Sequence, residues 1–175
     1  DLLELQGYHA TGLNQIVKES NSPKGSLYYH FPGGKEELAV EAIRKVGLIV
    51  LERIEDNLAQ IDDASDSIRK FIMNIAYNVE RSGFRKGGPI TTIALEMASS
   101  SELLREECQK IYASWQAVFA RKLQGSGIGA DRSESLSVLI ISSIEGGVIL
   151  CRTCQSKEAL ERVADEIGQL VRHAM

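Results

Sequence analysis

The stretch SPKGSLYYHF, residues 22–31, decides how this sequence is interpreted. Two tyrosines, a histidine and a phenylalanine follow a proline and a lysine there, whereas a helical core is built mainly from leucine and isoleucine. Consecutive residues of an α helix point about 100° apart, so Tyr28, Tyr29 and His30 cannot all face one core. The stretch therefore predicts that one or two of these rings face solvent or a binding partner.

The residues around this stretch predict two short helices joined by a tight turn. The first helix is predicted over 13–20 and the second over 23–30, with Ser22 as the N-cap and Pro23 in the first turn. The FPGG sequence at 31–34 ends the second helix. Two such helices form a helix-turn-helix unit, whose second helix enters the major groove of DNA.

Helical periodicity continues through the rest of the chain and predicts an all-α fold, since the few strand-like runs lie inside longer helical windows. The opening LLELQG predicts the tail of a helix that begins upstream and ends at Gly7. Ser99, Asp131 and Ser156 have the pattern of N-caps for the last three helices. The helices predicted after the first pair span 35–60, 67–81, 90–98, 99–123, 131–152 and 156–174.

Composition and charge limit the function classes. A chain of 175 residues with 43% hydrophobic and 25% charged residues is ordinary for a folded protein. The net charge of −4 argues against a general polyanion binder, so DNA binding would depend on a local surface. No apolar run approaches the ~20 residues of a transmembrane helix, and no secretory signal is found. Three cysteines do not suggest a disulfide framework, which favours a reduced cytoplasm.

Side chains along the second short helix have the chemistry of a DNA-reading surface. Lys24 offers a cation to a phosphate or a base edge, and Gly25 lets the backbone approach closely. Tyr28, Tyr29 and His30 present flat apolar faces to thymine methyls or sugars, and polar tips to phosphate oxygens. The competing interpretation is that single rings belong to a core, since tyrosine and histidine are often half-buried.

The stretch GYHATGLNQIVKESNSPKGSLYYHFPGGKEEL, residues 7–38, closely resembles the DNA-binding domain of TetR-family transcriptional regulators. The matching elements are the Gly-Tyr pair before a threonine, the Ile-Val pair, the Lys-Gly-Ser-Leu-Tyr run, the His-Phe pair and the Lys-Glu-x-Leu that follows. The resemblance implies a three-helix DNA-binding domain over 1–46, with its first helix truncated. It also implies DNA contacts by Thr11, Asn14, Ser22, Lys24, Gly25, Ser26, Tyr28, Tyr29, His30 and Lys35.

Two positions depart from the family pattern. The PGG sequence at 32–34 places one residue more than usual between Phe31 and Lys35. The ammonium of Lys35 is expected to hold one phosphate together with the first backbone N–H groups of its helix. Asn21 stands where many members carry glycine, and asparagine tolerates the left-handed conformation of a tight turn.

The second half of the chain resembles the branch of the family that contains the LmrA and YxaF repressors, through SWQAVFARKL at 114–123 and SSIEGG at 142–147. That resemblance implies an effector-binding and dimerisation domain over 47–175. The last two helices carry apolar positions on more than one side, whereas a surface helix needs one stripe. They predict a homodimer interface, with an internal core pair as the alternative, at Leu139, Ser142, Ser143, Gly146, Gly147, Val163, Ile167 and Leu170.

The middle helices carry aromatic and apolar residues that suit either a ligand pocket or a plain core. Glu145, in an apolar helix beside two glycines, suits either that pocket or a solvated helix boundary. The GFRKGGPITT sequence at 83–92 resembles the family segment that moves when an effector binds. The candidate pocket residues are Phe71, Ile75, Val79, Ile93, Met97, Tyr112, Trp115, Gln116, Phe119 and Glu145.

The leading hypothesis is a ligand-responsive repressor, a homodimer that binds palindromic operator DNA and is released by a small aromatic or amphipathic effector. By the branch resemblance it would control drug efflux. The alternative is a regulator of the same fold without a small-molecule effector. An all-helical enzyme is disfavoured, since no Ser-His-Asp set, phosphate loop or H-E-x-x-H motif is present.

The Cys-x-x-Cys spacing at 151–154 is found in some metal and redox sites. Zinc would need two further ligands at suitable spacing, and a redox dithiol usually follows a strand, which is not predicted here. The common use of free cysteine is as a small buried hydrophobe. No metal and no cofactor are therefore predicted.

Overall fold

The computed structural model describes residues 2–175, with the side chain of Lys24 left out of the description. The described residues confirm the all-α fold. They form nine helices: α1 (Leu2–Ala10), α2 (Leu13–Glu19), α3 (Lys24–His30), α4 (Gly34–Ala59), α5 (Ala64–Arg81), α6 (Thr91–Met97), α7 (Glu102–Gly125), α8 (Ala130–Cys154) and α9 (Glu158–Ala174).

These helices belong to two compact units. The first unit consists of residues 2–48 together with Pro89–Ile111, so it contains α1, α2, α3, α6 and the first parts of α4 and α7. The second unit consists of Ile49–Gly88 and Tyr112–Met175. The division differs from the domain boundary predicted at 46/47 because α6 and the start of α7 group with the N-terminal helices.

The helix-turn-helix of the first unit is fixed by local chain geometry. Asn21 has a φ of 53°, the left-handed conformation predicted for this turn. Its N–H donates to the carbonyl of Lys18 at 3.3 Å, which closes the turn after α2. Among the described side chains of α3, Leu27 is the buried one, only 7% exposed, and it anchors that helix to the unit. One inward side chain on a seven-residue helix leaves most of its surface for solvent or a partner.

Three predicted N-caps lie one or two residues from those of the structure. Ser101, not Ser99, is the cap of α7, because its Oγ accepts the N–H of Leu104 at 3.2 Å. The N-cap of α8 is Gly129, which leaves Asp131 inside the first turn of the helix. The N-cap of α3 is Pro23, one residue after the predicted Ser22. Several serines and carboxylates near each start have suitable chemistry, and only the path of the chain selects one.

The second unit is built on the packing of α5 against α9, with α8 covering both. Ser65, fully buried, donates its hydroxyl hydrogen to the carbonyl of Gly168 at 2.9 Å. Two exposed ion pairs also join these helices. Arg69 pairs with Asp165 at 2.8 Å, and Arg172 near the end of α9 pairs with Asp66 in the first turn of α5. The two helices are therefore held by one buried hydrogen bond and by exposed pairs, each of which contributes little in water.

Helix α8 is long and apolar enough to cross a membrane by the criteria of length and composition alone, with a mean hydropathy of 1.6 over its most apolar window. Its apolar residues have another use in this fold. Leu136, Ile140, Ile144 and Val148 are buried in the second unit, one or two turns apart, and form a stripe that faces α5 and α9. The composition of α8 is thus accounted for by the packing of a core helix.

Gly147 allows α8 to lie close to α9 within one chain. A Cβ atom at this position would lie 2.6 Å from Leu160 Cδ2 and 3.2 Å from its Cγ. We expect Gly147→Ala to lower the free energy of unfolding by about 1–3 kcal/mol, because the two helices must separate or Leu160 must leave its rotamer. Denaturant unfolding measures this change.

Gly125→Ala is the matched control, since nothing lies within 4 Å of a Cβ atom at that helical position. We expect it to leave the stability within about 0.5 kcal/mol of the native protein. If Gly147→Ala were equally neutral, the close approach of α8 to α9 would be contradicted.

Candidate nucleic-acid interface

The aromatic side chains of α3 are exposed. Tyr28 is 49% and Tyr29 is 82% exposed, and His30 is exposed as well. The rings of Tyr29 and His30 meet edge to face with their centroids 5.1 Å apart, so each restricts the motion of the other. The core interpretation of these rings is therefore wrong, and α3 presents a surface of flat apolar faces with polar tips.

Other predicted contacts lie near these rings along the chain and are also accessible. Asn14 on α2 and Ser22 in the turn are exposed, and Ser26 on α3 is half-buried. Gly25 is exposed, and nothing lies within 4 Å of where its Cβ would be, so its backbone is open to close approach. The predicted contact by the side chain of Lys24 lies outside the described part of the chain.

Thr11 is the exception and corrects the sequence analysis. Its side chain is 0% exposed, and its Oγ1 donates to the carbonyl of Gly7 at 2.7 Å. Such a side chain supports the bend between α1 and α2 and does not reach a surface. The sequence pattern carries no signal for this difference, since a threonine before a helix suits a surface contact and a buried hydrogen bond equally.

The turn before α4 accommodates the additional residue of the PGG sequence. Gly34 has a φ of 73°, which a glycine adopts without strain, and its N–H donates to the carbonyl of Phe31 at 2.9 Å. The N–H of Gly33 donates to Glu37 Oε2 at 2.8 Å, which satisfies a backbone group at the helix start. Lys35 is consequently half-buried in the first turn of α4.

Three carboxylates of the first unit connect α1 and α4 with α6 and the start of α7, and the sequence analysis singled out none of them. Glu96 on α6 accepts the N–H of His9 at 2.9 Å. Glu36 on α4 accepts a hydrogen bond from the hydroxyl of Ser101. Glu107 on α7 meets the guanidinium of an arginine on α4 through two hydrogen bonds of 3.0 and 3.1 Å. No local pattern marks Glu96 or Glu107, since both partners are distant in sequence.

The ion pair of Glu107 is partly shielded from water. Its partner is Arg44, which also pairs with Glu41. The side chain of Glu107 is 10% exposed, and the hydrogen bonds from Arg44 lower its carboxyl pKa while partial burial opposes that shift. The two hydrogen bonds between Arg44 and Glu107 fix which sides of α4 and α7 face each other within this unit.

The residues predicted to line a ligand pocket fall into both units. Ile93 and Met97 are buried in the first unit, whereas the other eight belong to the second. Phe71 and Phe119 pack there with ring centroids 5.7 Å apart and are at most 7% exposed. The ten residues therefore do not form one group inside either unit.

The other six predicted pocket residues of the second unit are buried or half-buried. Tyr112 and Trp115 meet edge to face at 5.4 Å, and Trp115 is 4% exposed. Val79 is buried, and Ile75, Gln116 and Glu145 are half-buried. A concavity of about 460 Å³ lies instead in the first unit, between α1, α2, α4 and α6, and Ile93 is the one predicted pocket residue that lines it.

The predicted dimer residues divide between the surface and the interior of the second unit. Leu139, Ser142 and Gly146 are exposed on α8, and Ser143, Val163 and Leu170 are half-buried. The prediction for Gly147 and Ile167 requires correction. Ile167 is 5% exposed, and Gly147 is buried against α9 of the same chain. Gly147 belongs to the internal α8–α9 contact that the sequence analysis held as the alternative, and Ile167 is buried within its own chain.

The cysteines are free thiols, and Cys108 and Cys151 are buried while Cys154 is exposed. Burial raises the pKa of Cys108 to about 11 and also raises the pKa of Cys151. These thiols keep their protons at neutral pH, as expected of small buried hydrophobes. Among residues 2–175 no group of three or more His, Cys, Asp or Glu side chains is placed to hold a metal ion.

Comparison with known proteins agrees with this geometry. Residues 1–42 match the family model described as bacterial regulatory proteins, tetR family, and residues 64–166 match that of the LmrA/YxaF-like transcriptional regulator C-terminal domain. Over 171 residues the chain is 47% identical to the HTH-type transcriptional regulator YxaF of Bacillus subtilis, covering 98% of this chain and 90% of that relative. The chain belongs to the TetR family.

Two further likenesses extend over the whole chain. It is 37% identical to the HTH-type transcriptional regulator LmrA of Bacillus subtilis, covering 98% of this chain and 91% of LmrA. The crystal structure of a TetR transcriptional regulator from Legionella pneumophila superposes with a TM-score of 0.79 at 27% identity, covering 97% of this chain and 90% of the other. This TetR-family protein is thus a transcriptional regulator with a helix-turn-helix DNA-binding domain, on the LmrA/YxaF-like branch.

Proposed function

We propose that this TetR-family protein is a cytoplasmic, ligand-responsive repressor. It binds palindromic operator DNA as a homodimer through residues of α2, α3 and the start of α4. A small aromatic or amphipathic compound releases it, and by analogy with its branch it controls drug efflux. The DNA-binding domain is residues 1–46, and residues 47–175 bind the effector and form the dimer.

The exposure of the α3 rings carries the DNA-binding part of this proposal. Leu27 faces inward, while Tyr28, Tyr29 and His30 are displayed on the other sides of the same short helix. Exposing large apolar rings to water is unfavourable by about 25 cal/mol for each Å² of apolar surface, so a partner that covers them is favoured. Sugars, thymine methyls and phosphate oxygens together match a ring with a polar tip.

The exposed side of α8 supports dimerisation. Val138, Leu139, Ile149 and Leu150 are between 43% and 54% exposed, as two adjacent pairs about three turns apart along the helix. The small residues Ser142 and Gly146 are exposed between them, so a second copy of α8 can approach closely. Dimerisation also suits the DNA, because two recognition helices must reach successive major grooves about 34 Å apart.

The aromatic cluster in the second unit supports an aromatic or amphipathic effector. Phe71, Trp115 and Phe119 are buried with Tyr112 beside them, and apolar and aromatic linings with a few polar groups are typical of ligand sites. The cluster is closely packed, so an effector must displace side chains to enter. Binding releases DNA only if the compound prefers the conformation with low DNA affinity.

Tyr29→Ala tests the DNA-binding surface. We expect it to weaken operator binding about 10- to 100-fold, since the substitution removes the most exposed ring of α3 and its contacts. Affinity is measured by fluorescence anisotropy on a duplex selected by the protein from a random library, with circular dichroism to verify the fold. Tyr77→Ala is the matched control, because Tyr77 is 46% exposed on α5 in the second unit.

Equal affinity of Tyr29→Ala and the native protein would contradict the assignment of α3 as the reading helix.

Effector response is tested on the same duplex with a panel of aromatic antibiotics and plant phenolics. Release by one compound supports the repressor. If DNA binding is specific but no compound raises the thermal midpoint or releases the duplex, the alternative without a small-molecule effector is favoured.

A further inference from the structure

The ammonium group of Lys35 lies over the face of the Tyr8 ring, with Nζ 4.3 Å from the ring centroid. Tyr8 follows the bend of α1, whereas Lys35 is in the first turn of α4, so two separate helices supply the pair. A cation at this distance is attracted by the negative charge on the ring face. The contact accounts for the position of the lysine despite the additional residue in the preceding turn.

We propose that Tyr8 is a positioning residue that holds the Lys35 ammonium ready for a DNA phosphate. This inference rests on the proposed function, in which Lys35 contacts the DNA backbone. A free lysine side chain loses conformational entropy when it is fixed. The ring of Tyr8 restricts Lys35 before DNA arrives, so part of that cost no longer opposes binding.

The charge of Lys35 remains available for an anion. Within the described residues, Lys35 forms no ion pair with a carboxylate. Lys157 in the second unit gives the contrasting case: its Nζ lies 4.5 Å from the centroid of the Tyr77 ring and also pairs with Glu80 at 2.8 Å. A lysine held by a carboxylate has its charge compensated, whereas a lysine held by a neutral ring keeps its full attraction for phosphate.

Tyr8 itself is held firmly, as a positioning residue requires. Gly7, before it, accepts a hydrogen bond from the buried Thr11 hydroxyl at 2.7 Å. His9, after it, donates its N–H to Glu96 at 2.9 Å. The His9 ring meets the Tyr8 ring edge to face at 5.6 Å. Burial, together with the charge of Glu36, raises the pKa of the Tyr8 phenol, so the ring stays neutral.

A double-mutant cycle on the full chain tests the proposal. The affinity of Tyr8→Leu, Lys35→Ala and the double variant is measured against salt concentration, on the duplex selected from a random library and on an unrelated duplex of equal length. We expect Lys35→Ala to weaken binding to both duplexes about 10-fold and to reduce the slope of log affinity against log salt by about 1 per protomer. Tyr8→Leu is expected to weaken binding about 2- to 5-fold and to reduce that slope in part.

The double variant is expected to match Lys35→Ala, because the ring acts through the lysine. Tyr8→Phe keeps the ring face and is expected to bind like the native protein. Tyr77→Leu is the matched control, since it removes a ring beneath an ion-paired lysine, and it is expected to leave the salt slope unchanged. Replacing Tyr8 with pentafluorophenylalanine keeps the ring shape but reverses its charge distribution, so it should reproduce Tyr8→Leu even if the leucine variant folds poorly.

Additive effects of Tyr8→Leu and Lys35→Ala, or an unchanged salt slope in the pentafluorophenylalanine variant, would overturn the proposal and leave Tyr8 a purely structural role. A structural role alone would lower the thermal midpoint without changing the slope. If the native protein showed no salt-dependent binding to either duplex, the proposed function itself would fail. Normal binding by the native protein together with an unaffected Lys35→Ala would reject only this inference.

Discussion

Gly7→Ala is expected to disrupt the packing of α1 against α6 and, with it, DNA binding. Gly7 has a φ of 83° and a ψ of 176°, a region that residues with a side chain avoid at a cost of about 1–3 kcal/mol. A Cβ atom there would also overlap Glu96 Oε1 and lie 2.8 Å from its Cδ. We expect the free energy of unfolding of this unit to fall by at least about 2 kcal/mol, measured by denaturant unfolding and by operator affinity.

Two variants separate the causes of that loss. Gly12→Ala is the control, because Gly12 has a φ of −89° and nothing lies within 4 Å of a Cβ there, so little change is expected. Adding Glu96→Ala to Gly7→Ala removes the overlap but not the backbone strain, so partial recovery is expected. A Gly7→Ala protein as stable as Gly12→Ala would show that α1 does not bend against α6 in this way.

Leu139→Arg is expected to convert the proposed homodimer to monomers and to lower operator affinity about 100-fold or more. Leu139 is 43% exposed within the described protomer and belongs to the apolar side of α8 on which the proposed dimer rests. A two-fold interface carries each substitution twice, and an arginine buried there without a partner costs about 3 kcal/mol or more. A monomer also loses the gain from binding two half-sites at once, commonly about 10²- to 10⁴-fold.

Sedimentation velocity measures the association state, and anisotropy measures the affinity for the operator. Leu103→Arg serves as the control, since Leu103 is 60% exposed on α7 in the first unit and is not part of the proposed interface. It is expected to sediment like the native protein. A dimeric Leu139→Arg with unchanged operator affinity would place the dimer contact elsewhere.

The sequence predicted the exposure of the α3 rings well because the decisive information there is local. Three adjacent rings on one helix cannot share a core, and the structure exposes Tyr28, Tyr29 and His30 around the buried Leu27. The left-handed turn at Asn21 is likewise a property of that residue and its neighbours. The resemblance of residues 7–38 then identified the family, which the comparisons confirm.

The candidate pocket and dimer residues could be assigned only in part from the sequence, because periodicity shows which side of a helix is apolar and not what covers it. Ile93 and Met97 look like the other pocket candidates in sequence but are buried in the first unit. Gly147 and Gly146 are adjacent, yet Gly147 lies against Leu160 of the same chain and Gly146 is exposed. A one-residue step turns a helix position by about 100°, which separates the core from the surface.

By itself the sequence determined the helices, the helix-turn-helix and the family, since each depends on residues within a few turns of one another. Only the tertiary structure decided the roles of Gly7, Thr11 and Glu96 at the bend of α1. Glu96 is 87 residues from the N–H that it accepts, so the folded chain alone brings the two together. Other features depend on such long-range contacts too, and a local pattern carries no signal for them. They are the paired carboxylates of α4, α6 and α7, the overlap that demands a glycine and the ring beneath Lys35.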